Sequence, residues 1–404
     1  MKKIAIVSAG VPEREVRRSS SLSVLYHYVC GFLTDGLKVH HVLVESPSDA
    51  VSTSELNAYR DEMSGLGEFS LTYSLIEGGH HPRRHFLSLK PAAFPNPARR
   101  ALDKFAPDAI FCFDILSAAW VAEIPAVKKI VWLGDFNFET VWYHAVYAAK
   151  EGLFAWHRWP LVWAYRLSWQ LFYKRVLIHF DLIVPCTKKS EVVLRQLGFA
   201  SRYIPFPYGS GPIGPSLEPR PLAIKPTYLF MGNLKGLGSR SAFRFLIDEI
   251  YPALKSDLGP NEFNILISGM HGLPKWMSNK VKSAPEIQYV GFVEDLVALM
   301  RTCHAVIAPI EVPLGNRTRI VNAMAYGVPV IAHPNTAFGN PALVHGKTCY
   351  LTDVGNTFAR YMRDTYMNVD GQTSLIGMAY SSYCQTFAPE VATSRMVDEI
   401  KKLF

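Results

Sequence analysis

Short runs of apolar, β-branched residues alternate with longer stretches of helical periodicity along the whole chain, and no other feature constrains the fold as strongly. Strands that are separated by helices pair in parallel, with the helices crossing over the faces of the sheet. The sequence therefore predicts an α/β fold. In the first half, strands are predicted at 4–10, 39–45, 68–76, 109–114, 128–135 and 180–187, and helices at 20–35, 96–105, 139–178 and 188–198.

The pattern restarts after residues 205–226, a segment rich in proline and glycine that is typical of a flexible linker between domains. A chain of 404 residues exceeds one ordinary core, so two domains are expected. We predict Rossmann-like domains at 1–204 and 227–385 that face a cleft, where ligands bind. We expect a C-terminal helix at 386–404 to pack back toward the first domain. Strands of the second half are predicted at 227–234, 263–269, 287–293, 305–310 and 328–333, and helices at 239–255, 274–283 and 295–303.

The composition is that of a folded protein with a basic surface. Hydrophobic residues make up 49% and charged residues 19% of the chain, and the net charge is +8. Such a charge suits nucleic acid, an anionic membrane or phosphorylated small molecules. The densest basic cluster, Arg14-Arg17-Arg18, is short, and the spacings of nucleic-acid-binding motifs are absent. We therefore expect no nucleic-acid partner.

Several features favour a cytoplasmic location. The apolar run near the start is shorter than many signal sequences, and acidic and arginine residues follow it at once. The sequence contains no apolar stretch of about 18 uncharged residues, so we predict no membrane-spanning helix. The six cysteines form no C-x-x-C pair, so we expect reduced, buried thiols and no structural zinc site; they are Cys30, Cys112, Cys186, Cys303, Cys349 and Cys384.

The segment PLGNRTRIVNAMAYGVPVIAHP, residues 313–334, places Arg317 and Arg319 where a short helix begins. The helix dipole repels cations at that end, so we infer that an anionic ligand, bound also by free backbone N–H groups, outweighs the repulsion. By their spacing Gly315, Arg319 and Asn322 share one helix face, which favours Arg319 as the phosphate ligand. Two arginines so spaced cannot both face one ligand from a regular helix, so Arg317 would reach from the preceding loop.

Four motifs follow one another through the C-terminal half. They are YLFMGNL at 228–234, ILISG ending at Gly269, VGFVEDL at 290–296, and the GNRTRIVNAMAYGVPVI box. Residues 227–353 thereby resemble the nucleotide-sugar-binding domain of the GT-B glycosyltransferases, in particular the large retaining family called group 1 or family 4. The final box is the most specific of the four. The resemblance reaches the N-terminal half only through strand order and layout.

The resemblance implies a site for a nucleoside-diphosphate sugar as donor substrate, without a further cofactor. The backbone at Gly232 and Asn233 would approach the phosphates, and Lys235 would neutralise one of them. Phe292 and Glu294 would lie beside the nucleobase. The residues so implied in donor binding are Gly232, Asn233, Lys235, Gly269, Phe292, Glu294, Glu311, Gly315, Arg317, Arg319 and Asn322.

One part of the family pattern is changed in this sequence. The paired glutamates of the family fall at Leu314 and Asn322, and neither residue is acidic. Glu311 lies close enough in sequence to replace one of them, and Asn322 can exchange hydrogen bonds with a ribose hydroxyl. The change leaves open whether the enzyme retains or inverts the anomeric configuration. A plainer alternative for the two arginines is that they are solvated or pair with Glu311.

Two features of the N-terminal half predict an acceptor site. The loop SAGVPEREVRRSSSLS contains Arg14, Arg17 and Arg18, which would suit an acceptor that carries phosphate, such as a lipid-pyrophosphate-linked sugar. The alternative is an exposed basic loop in which a serine caps a helix. Asp135 and Asp114 each close a predicted strand, where a carboxylate can deprotonate an acceptor hydroxyl. The alternative for Asp135 is that it caps the next helix.

We predict no essential divalent metal. Glu77, His80 and His81 lack a metal-ligand spacing, and no D-x-D pair is placed to hold an ion. Arginine, lysine and helix-start amides could neutralise the leaving group instead.

The stretch 153–176 contains four tryptophans and three arginines. This mixture suits contact with an anionic membrane surface, and the alternative is a core helix. The family resemblance implies a glycosyltransferase of surface polysaccharide or lipopolysaccharide assembly, acting at the cytoplasmic membrane face. A nucleotide-sugar epimerase on the same fold and a non-catalytic scaffold remain as alternatives.

Overall fold

The computed structural model describes residues 2–15, 19–76, 83–85, 88–152, 154–209, 216–269, 272–315 and 317–404. The chain divides into two compact units, Met1–Pro207 with Pro389–Phe404, and Tyr208–Ala388. Each unit contains one six-stranded sheet in which all neighbouring strands are parallel. The predicted α/β fold with two Rossmann-like sheets is confirmed.

The sheet of the N-terminal unit has the strand order β3-β2-β1-β6-β7-β8. Its strands are β1 (Lys3–Ser8), β2 (Lys38–Glu45), β3 (Phe69–Leu75), β6 (Ala109–Phe113), β7 (Lys128–Leu133) and β8 (Leu182–Pro185), and β4 (Arg83–His85) and β5 (Ser88–Lys90) form a separate antiparallel pair. Its helices are α1 (Ser20–Thr34), α2 (Thr53–Ser64), α3 (Asn96–Phe105), α4 (Ile115–Val121), α5 (Asn137–Lys150), α6 (Trp159–Leu177) and α7 (Lys188–Gln196).

Local sequence explains where these elements begin. The central strands β1, β6 and β7 are almost wholly buried because helices cover both faces of a parallel sheet. The side chains of Ser19, Ser52 and Thr187 accept hydrogen bonds from first-turn N–H groups of α1, α2 and α7. The predicted helical region 139–178 is broken into α5, a 3₁₀ turn at Trp156–Arg158 and α6, whose first turn contains Pro160.

The sheet of the C-terminal unit has the strand order β11-β10-β9-β12-β13-β14. Its strands are β9 (Thr227–Met231), β10 (Asn264–Ser268), β11 (Ile287–Gly291), β12 (Ala305–Ala308), β13 (Val330–Ala332) and β14 (Tyr350–Leu351). Its helices are α8 (Leu237–Phe245), which continues through a π-helical turn at Leu246–Ile250 into α9 (Tyr251–Leu258), α10 (Lys275–Lys282), α11 (Leu296–Thr302), α12 (Thr318–Ala325), α13 (Gly355–Met367) and α14 (Thr373–Thr386).

The segment predicted as a linker has no helix or strand in its described part. Residues 216–226 are nevertheless held on the C-terminal unit. Ser216 N donates to Ala325 O at 3.1 Å, and Ala223 N donates to Thr302 O at 2.9 Å. The structure therefore assigns this half of the segment to the C-terminal unit rather than to a flexible connection.

The last helix, α15 (Pro389–Lys401), belongs to the N-terminal unit and packs against α1. Its close approach depends on Gly31, because a Cβ at that position would lie 2.5 Å from Cβ of Thr393. Lys401 adds an ion pair with Asp35 at 2.7 Å just beyond α1. The final residues of the chain thus complete the layer that covers the first sheet.

Replacing Gly31 with alanine should separate α1 from α15. The added methyl group would also lie 2.8 Å from Cγ2 of Thr393, whose short side chain cannot bend away. We expect the free energy of unfolding of the N-terminal unit to fall by about 1–3 kcal/mol in urea denaturation. The matched control is Gly377→Ala in α14, where no atom lies within 4 Å and alanine should stabilise the helix by roughly 0.5–1 kcal/mol. Equal effects of the two substitutions would contradict this packing.

Candidate functional site

The carboxyl ends of β9, β10 and β11 are tied together by backbone hydrogen bonds. Gly232 N donates to Ser268 O, and Gly269 N donates to Gly291 O, each at 3.0 Å. A Cβ on Gly269 would overlap the carbonyl oxygen of Gly232, so the two strand ends approach as closely as glycine alone permits. This packing fixes the path of the loop that leads from β9 into α8.

Arg319, in the first turn of α12, places its guanidinium against Gly232. A Cβ at Gly232 would lie 2.7 Å from Nη1 of Arg319 and closer still to Nη2. Gly232 also has a φ of +140°, which side chains rarely allow. Nη2 of Arg319 donates to Oγ of Ser239, in the first turn of α8, at 3.4 Å. The guanidinium therefore lies where α8 begins.

Arg317 reaches the same helix start from the other side of the loop. It is the N-cap residue of α12, and its Nη2 donates to Val312 O at 3.0 Å. A Cβ at Gly238, in the first turn of α8, would lie 3.1 Å from Nη1 of Arg317. Arg317 precedes the helix, so the helical geometry that would separate it from Arg319 does not apply, and both guanidinium groups lie at one helix start.

The guanidinium of Arg319 has hydrogen-bonding capacity that the described residues do not use. Nη1 of Arg319 is buried and has no hydrogen-bond partner among the described residues. Burial, and then the charge of Arg317, lower the pKa of Arg319 to about 9, and Tyr208 opposes them. No side chain of the described residues caps α8 or α12, whose starts carry positive partial charge. The arrangement suits an anion that accepts several hydrogen bonds.

Four other predicted donor residues occupy the same carboxyl edge of the sheet. Asn233 and Lys235 are exposed in the loop before α8, where Oδ1 of Asn233 accepts from Lys235 N at 3.1 Å. Phe292 and Glu294 follow β11 and are both exposed. Because β11 is an edge strand that is bonded to β10, these two residues lie two strands away from Gly232.

The last three predicted donor residues lie between β12 and β13. The carbonyl oxygen of Glu311 accepts a hydrogen bond from Nδ2 of Asn335. Gly315 has a φ of +70°, which the turn before α12 requires. Asn322 is buried one turn beyond Arg319. An Arg317–Glu311 pair stays an alternative, and the contact seen for the Arg317 guanidinium is with the main-chain carbonyl of Val312.

Three residues at this site did not emerge from the sequence. Gly238 and Ser239 contact the two arginines, yet nothing distinguishes them from ordinary small helix residues before the fold is known. Tyr208, which raises the pKa of Arg319, lies within the predicted linker. Its main chain is fixed by Phe387 and Tyr383, far along the chain, and only folding brings these segments together.

In the N-terminal unit, Asp114 and Asp135 follow the neighbouring strands β6 and β7. Asp114 has a φ of +90°, a strained conformation for a residue with a side chain, and its Oδ1 accepts from Ile115 N at 2.5 Å at the start of α4. Burial raises the pKa of Asp114 to about 6, Ile115 N–H opposes this shift, and the charge of Asp135 adds to it. Asp135 is exposed and is not the N-cap of α5, which is Phe136.

Further polar groups surround this carboxylate pair. Glu139 in α5 forms an ion pair with Lys189 at 3.4 Å, and its pKa is raised by burial and by Asp135 against the opposing charges of Lys189 and Arg166. The hydroxyl of Tyr173 donates to Oδ1 of Asn137 at 2.9 Å and interacts electrostatically with both aspartates. The sequence did not predict these neighbours, because they come from helices that fold across the strand ends.

The predicted basic acceptor loop is described only in part. Arg14 is exposed, whereas Arg17 and Arg18 lie outside the described residues, as do Glu77, His80 and His81. Ser19 caps α1 by accepting from Ser21 N at 3.4 Å, so one serine of this loop has the capping role that was the alternative.

The described residues contain neither a cluster of metal ligands nor a membrane-spanning helix. Within these ranges no group of three or more histidine, cysteine, aspartate or glutamate side chains is arranged to hold a metal ion. Across the same ranges, no helix combines the length and apolar character that crossing a bilayer requires.

Comparison with known families identifies the C-terminal unit. The profile of the family described as Glycosyl transferases group 1 matches residues 225–368. The C-terminal unit is a group 1 glycosyltransferase domain. The chain is therefore a glycosyltransferase, as the sequence predicted. A comparison with curated proteins gave no match.

Solved structures share the fold of the whole glycosyltransferase. Sucrose-phosphate synthase from Thermosynechococcus elongatus is 14% identical, with a TM-score of 0.69 over 100% of this chain and 99% of that one. HepE from Anabaena in complex with UDP is 15% identical, with a TM-score of 0.64 over 100% of both chains. A TarM variant from S. aureus is 10% identical, with a TM-score of 0.65 over 98% of this chain and 99% of that one. At these identities the likeness shows the fold, and the predicted GT-B architecture is confirmed.

The environment of Asp114 predicts a pH-dependent effect on stability. Its pKa is raised in the folded chain, so ionisation costs stability as the pH rises through about 6. In urea denaturation, Asp114→Asn should raise the free energy of unfolding by about 2 kcal/mol at pH 8, and the gain should vanish toward pH 4.

Asp181→Asn is the matched control with the opposite sign. Burial would raise the pKa of Asp181, but hydrogen bonds from Lys129 N and Lys128 Nζ lower it overall. Asparagine should therefore destabilise the protein at neutral pH, with a loss that fades as the pH falls through the lowered pKa. The same sign for both variants would contradict the assignment.

Proposed function

We propose that this glycosyltransferase moves a sugar from a nucleoside-diphosphate sugar to an acceptor hydroxyl. The observation that carries the proposal is the convergence of Arg317 and Arg319 on the start of α8, where Nη1 of Arg319 lacks a partner among the described residues. A diphosphate supplies the negative charge and the oxygen acceptors that this place requires. The structures of HepE in complex with UDP and with UDP-glucose support this choice of ligand.

In the proposed reaction, the bond between the anomeric carbon and the donor's phosphate oxygen breaks. Its electron pair leaves with the nucleoside diphosphate, and Arg317, Arg319 and the first amides of α8 stabilise that charge. The acceptor oxygen forms the new bond to the anomeric carbon. Its proton passes to Asp135 if the reaction inverts the configuration, or to the leaving phosphate if the reaction retains it.

We propose that the transfer needs no divalent cation. Two guanidinium groups and a helix start already provide the charge that a metal ion would contribute to the leaving group. Adding a chelator to a reaction mixture should leave the rate unchanged.

The acceptor that we propose is a saccharide or a lipid-linked saccharide of surface polysaccharide or lipopolysaccharide assembly. The exposed Arg14 would suit an acceptor that carries phosphate. The structure of the TarM variant in complex with Fondaparinux, alpha-GlcNAc-glycerol and UDP supports a saccharide acceptor. The pathway and the cytoplasmic membrane face are implied by the family resemblance.

Incubation with a panel of nucleotide sugars tests the proposed function against its two alternatives. A glycosyltransferase should release free nucleotide, slowly with water and faster with the acceptor. An epimerase would return an isomeric nucleotide sugar without free nucleotide. A non-catalytic scaffold that derives from the family would convert none of the nucleotide sugars. The absence of the family's paired glutamates is the reason to test for this outcome.

Arg319→Ala should weaken nucleotide binding without destabilising the free protein. Hydrogen bonds to a charged group contribute about 1.5–3 kcal/mol, so the dissociation constant for UDP or GDP should rise about 10- to 150-fold. The free variant should unfold at the same urea concentration as the parent or a higher one, since a buried cation is lost.

Calorimetry measures the dissociation constant, and urea denaturation measures the stability of the free variant. Arg360→Ala, an exposed arginine of α13, is the control that should bind normally. If Arg319→Ala lowered the free energy of unfolding by as much as it weakened nucleotide binding, Arg319 would have a structural role and the proposed phosphate contact would be contradicted.

Asp135→Asn should slow the chemical step more than it weakens substrate binding. If Asp135 is the base, its replacement by a neutral amide of the same shape should lower kcat by roughly 10²- to 10⁴-fold with little change in KM for the donor. Asp108→Asn is the control, because Asp108 lies at the opposite end of β6, where its carboxylate accepts a hydrogen bond from Lys3 N at 2.8 Å. Unchanged kcat in Asp135→Asn would assign the deprotonation to the leaving phosphate.

A further inference from the structure

Helix α6 carries a row of exposed apolar side chains, called here the α6 stripe. It consists of Trp163, Leu167 and Leu171 in the helix and of Ile178, the C-cap residue, which recur at the spacing of one helix face. Their exposed fractions are 54%, 44%, 47% and 67%, although the opposite face of α6 packs into the core. Trp156, which is 82% exposed, lies just before the helix. Such a row along one helix needs an occupant to cover it.

The charged residues of segment 156–178, which contains the α6 stripe, have one sign. Residues 156–178 contain no aspartate or glutamate, whereas they contain five basic residues, His157, Arg158, Arg166, Lys174 and Arg175. Lys174 is exposed and shares the face of the stripe by its spacing. A surface that combines tryptophan and leucine side chains with positive charge is complementary to a layer of anionic headgroups above an apolar interior.

The stripe is linked to the candidate acceptor site within the same unit. The guanidinium of Arg166 lies 5.3 Å from the ring centre of Trp163 and 5.1 Å from that of Trp142. Arg166 also interacts electrostatically with Glu139, the neighbour of Asp135. A bilayer on the stripe would therefore lie near the carboxylates that we propose to act on the acceptor.

We propose that the α6 stripe binds the surface of an anionic bilayer, with the helix in the plane of the interface. Its tryptophan rings lie at headgroup depth, and Lys174 meets lipid phosphate. A second copy of the chain fits less well. In a two-fold dimer the stripe would face itself, and the cations of residues 156–178 would meet without an acid from that segment to balance them.

The experiment measures sedimentation of the full chain with vesicles of phosphatidylcholine, with and without phosphatidylglycerol. The parent should bind only the anionic vesicles, and the emission of exposed tryptophan should shift to shorter wavelength on binding. Leu167→Glu with Leu171→Glu should weaken binding at least about tenfold, as should Lys174→Glu, because each cation near an anionic surface strengthens binding roughly fivefold. The matched controls are Leu66→Glu with Ile224→Glu, which are exposed apolar residues elsewhere, and Lys282→Glu. These controls should bind like the parent.

Three results would overturn the proposal. The parent fails to bind anionic vesicles, the stripe variants bind as tightly as their controls, or light scattering without lipid shows a dimer that the stripe variants dissociate. The last result would assign the stripe to a second copy of the chain. The assay contains no sugar donor, so its outcome is independent of the proposed transfer reaction. Unaltered thermal unfolding would show that each variant is folded.

Discussion

The site of this glycosyltransferase depends on two like charges held at the positive end of a helix. Arg317 and Arg319 come from one short segment, but both guanidinium groups reach the first turn of α8, where the helix dipole and each other oppose them. The repulsion between the two like charges, together with the helix dipole, disfavours this arrangement in the free protein. The arrangement becomes favourable when an anion binds, because folding has already placed the two guanidinium groups and they need not move.

Small residues make this arrangement possible. Gly232, Gly238 and Gly269 leave room for guanidinium groups and for a neighbouring strand end, where any Cβ would overlap or crowd an atom. In the N-terminal unit, parallel strands create the corresponding edge, and Asp114 and Asp135 follow two neighbouring strands there. The same topology thus collects cations on one sheet and carboxylates on the other, each at the carboxyl ends of its strands.

The sequence predicted the sheets because their strands are short, buried and β-branched, so hydrophobic runs mark them directly. It did not predict α2, whose residues are mostly exposed, or α4, whose seven residues are too few to show a helical period. The donor residues could be named from motifs, but not their geometry, since the N-cap position of Arg317 is set by tertiary structure. The roles of Tyr208 and Glu139 as neighbours of the site could not be predicted, because contacts between residues far apart in the chain leave no periodic pattern in the sequence.

The return of α15 to the first unit has a consequence for synthesis on the ribosome. The C-terminal unit is complete at Ala388, before α15 has been made, whereas the groove on α1 beside Gly31 stays uncovered until Thr393 emerges. The second half of the molecule can therefore mature before the first. Chaperones that recognise unfinished apolar surface would meet this protein at its beginning rather than at its end.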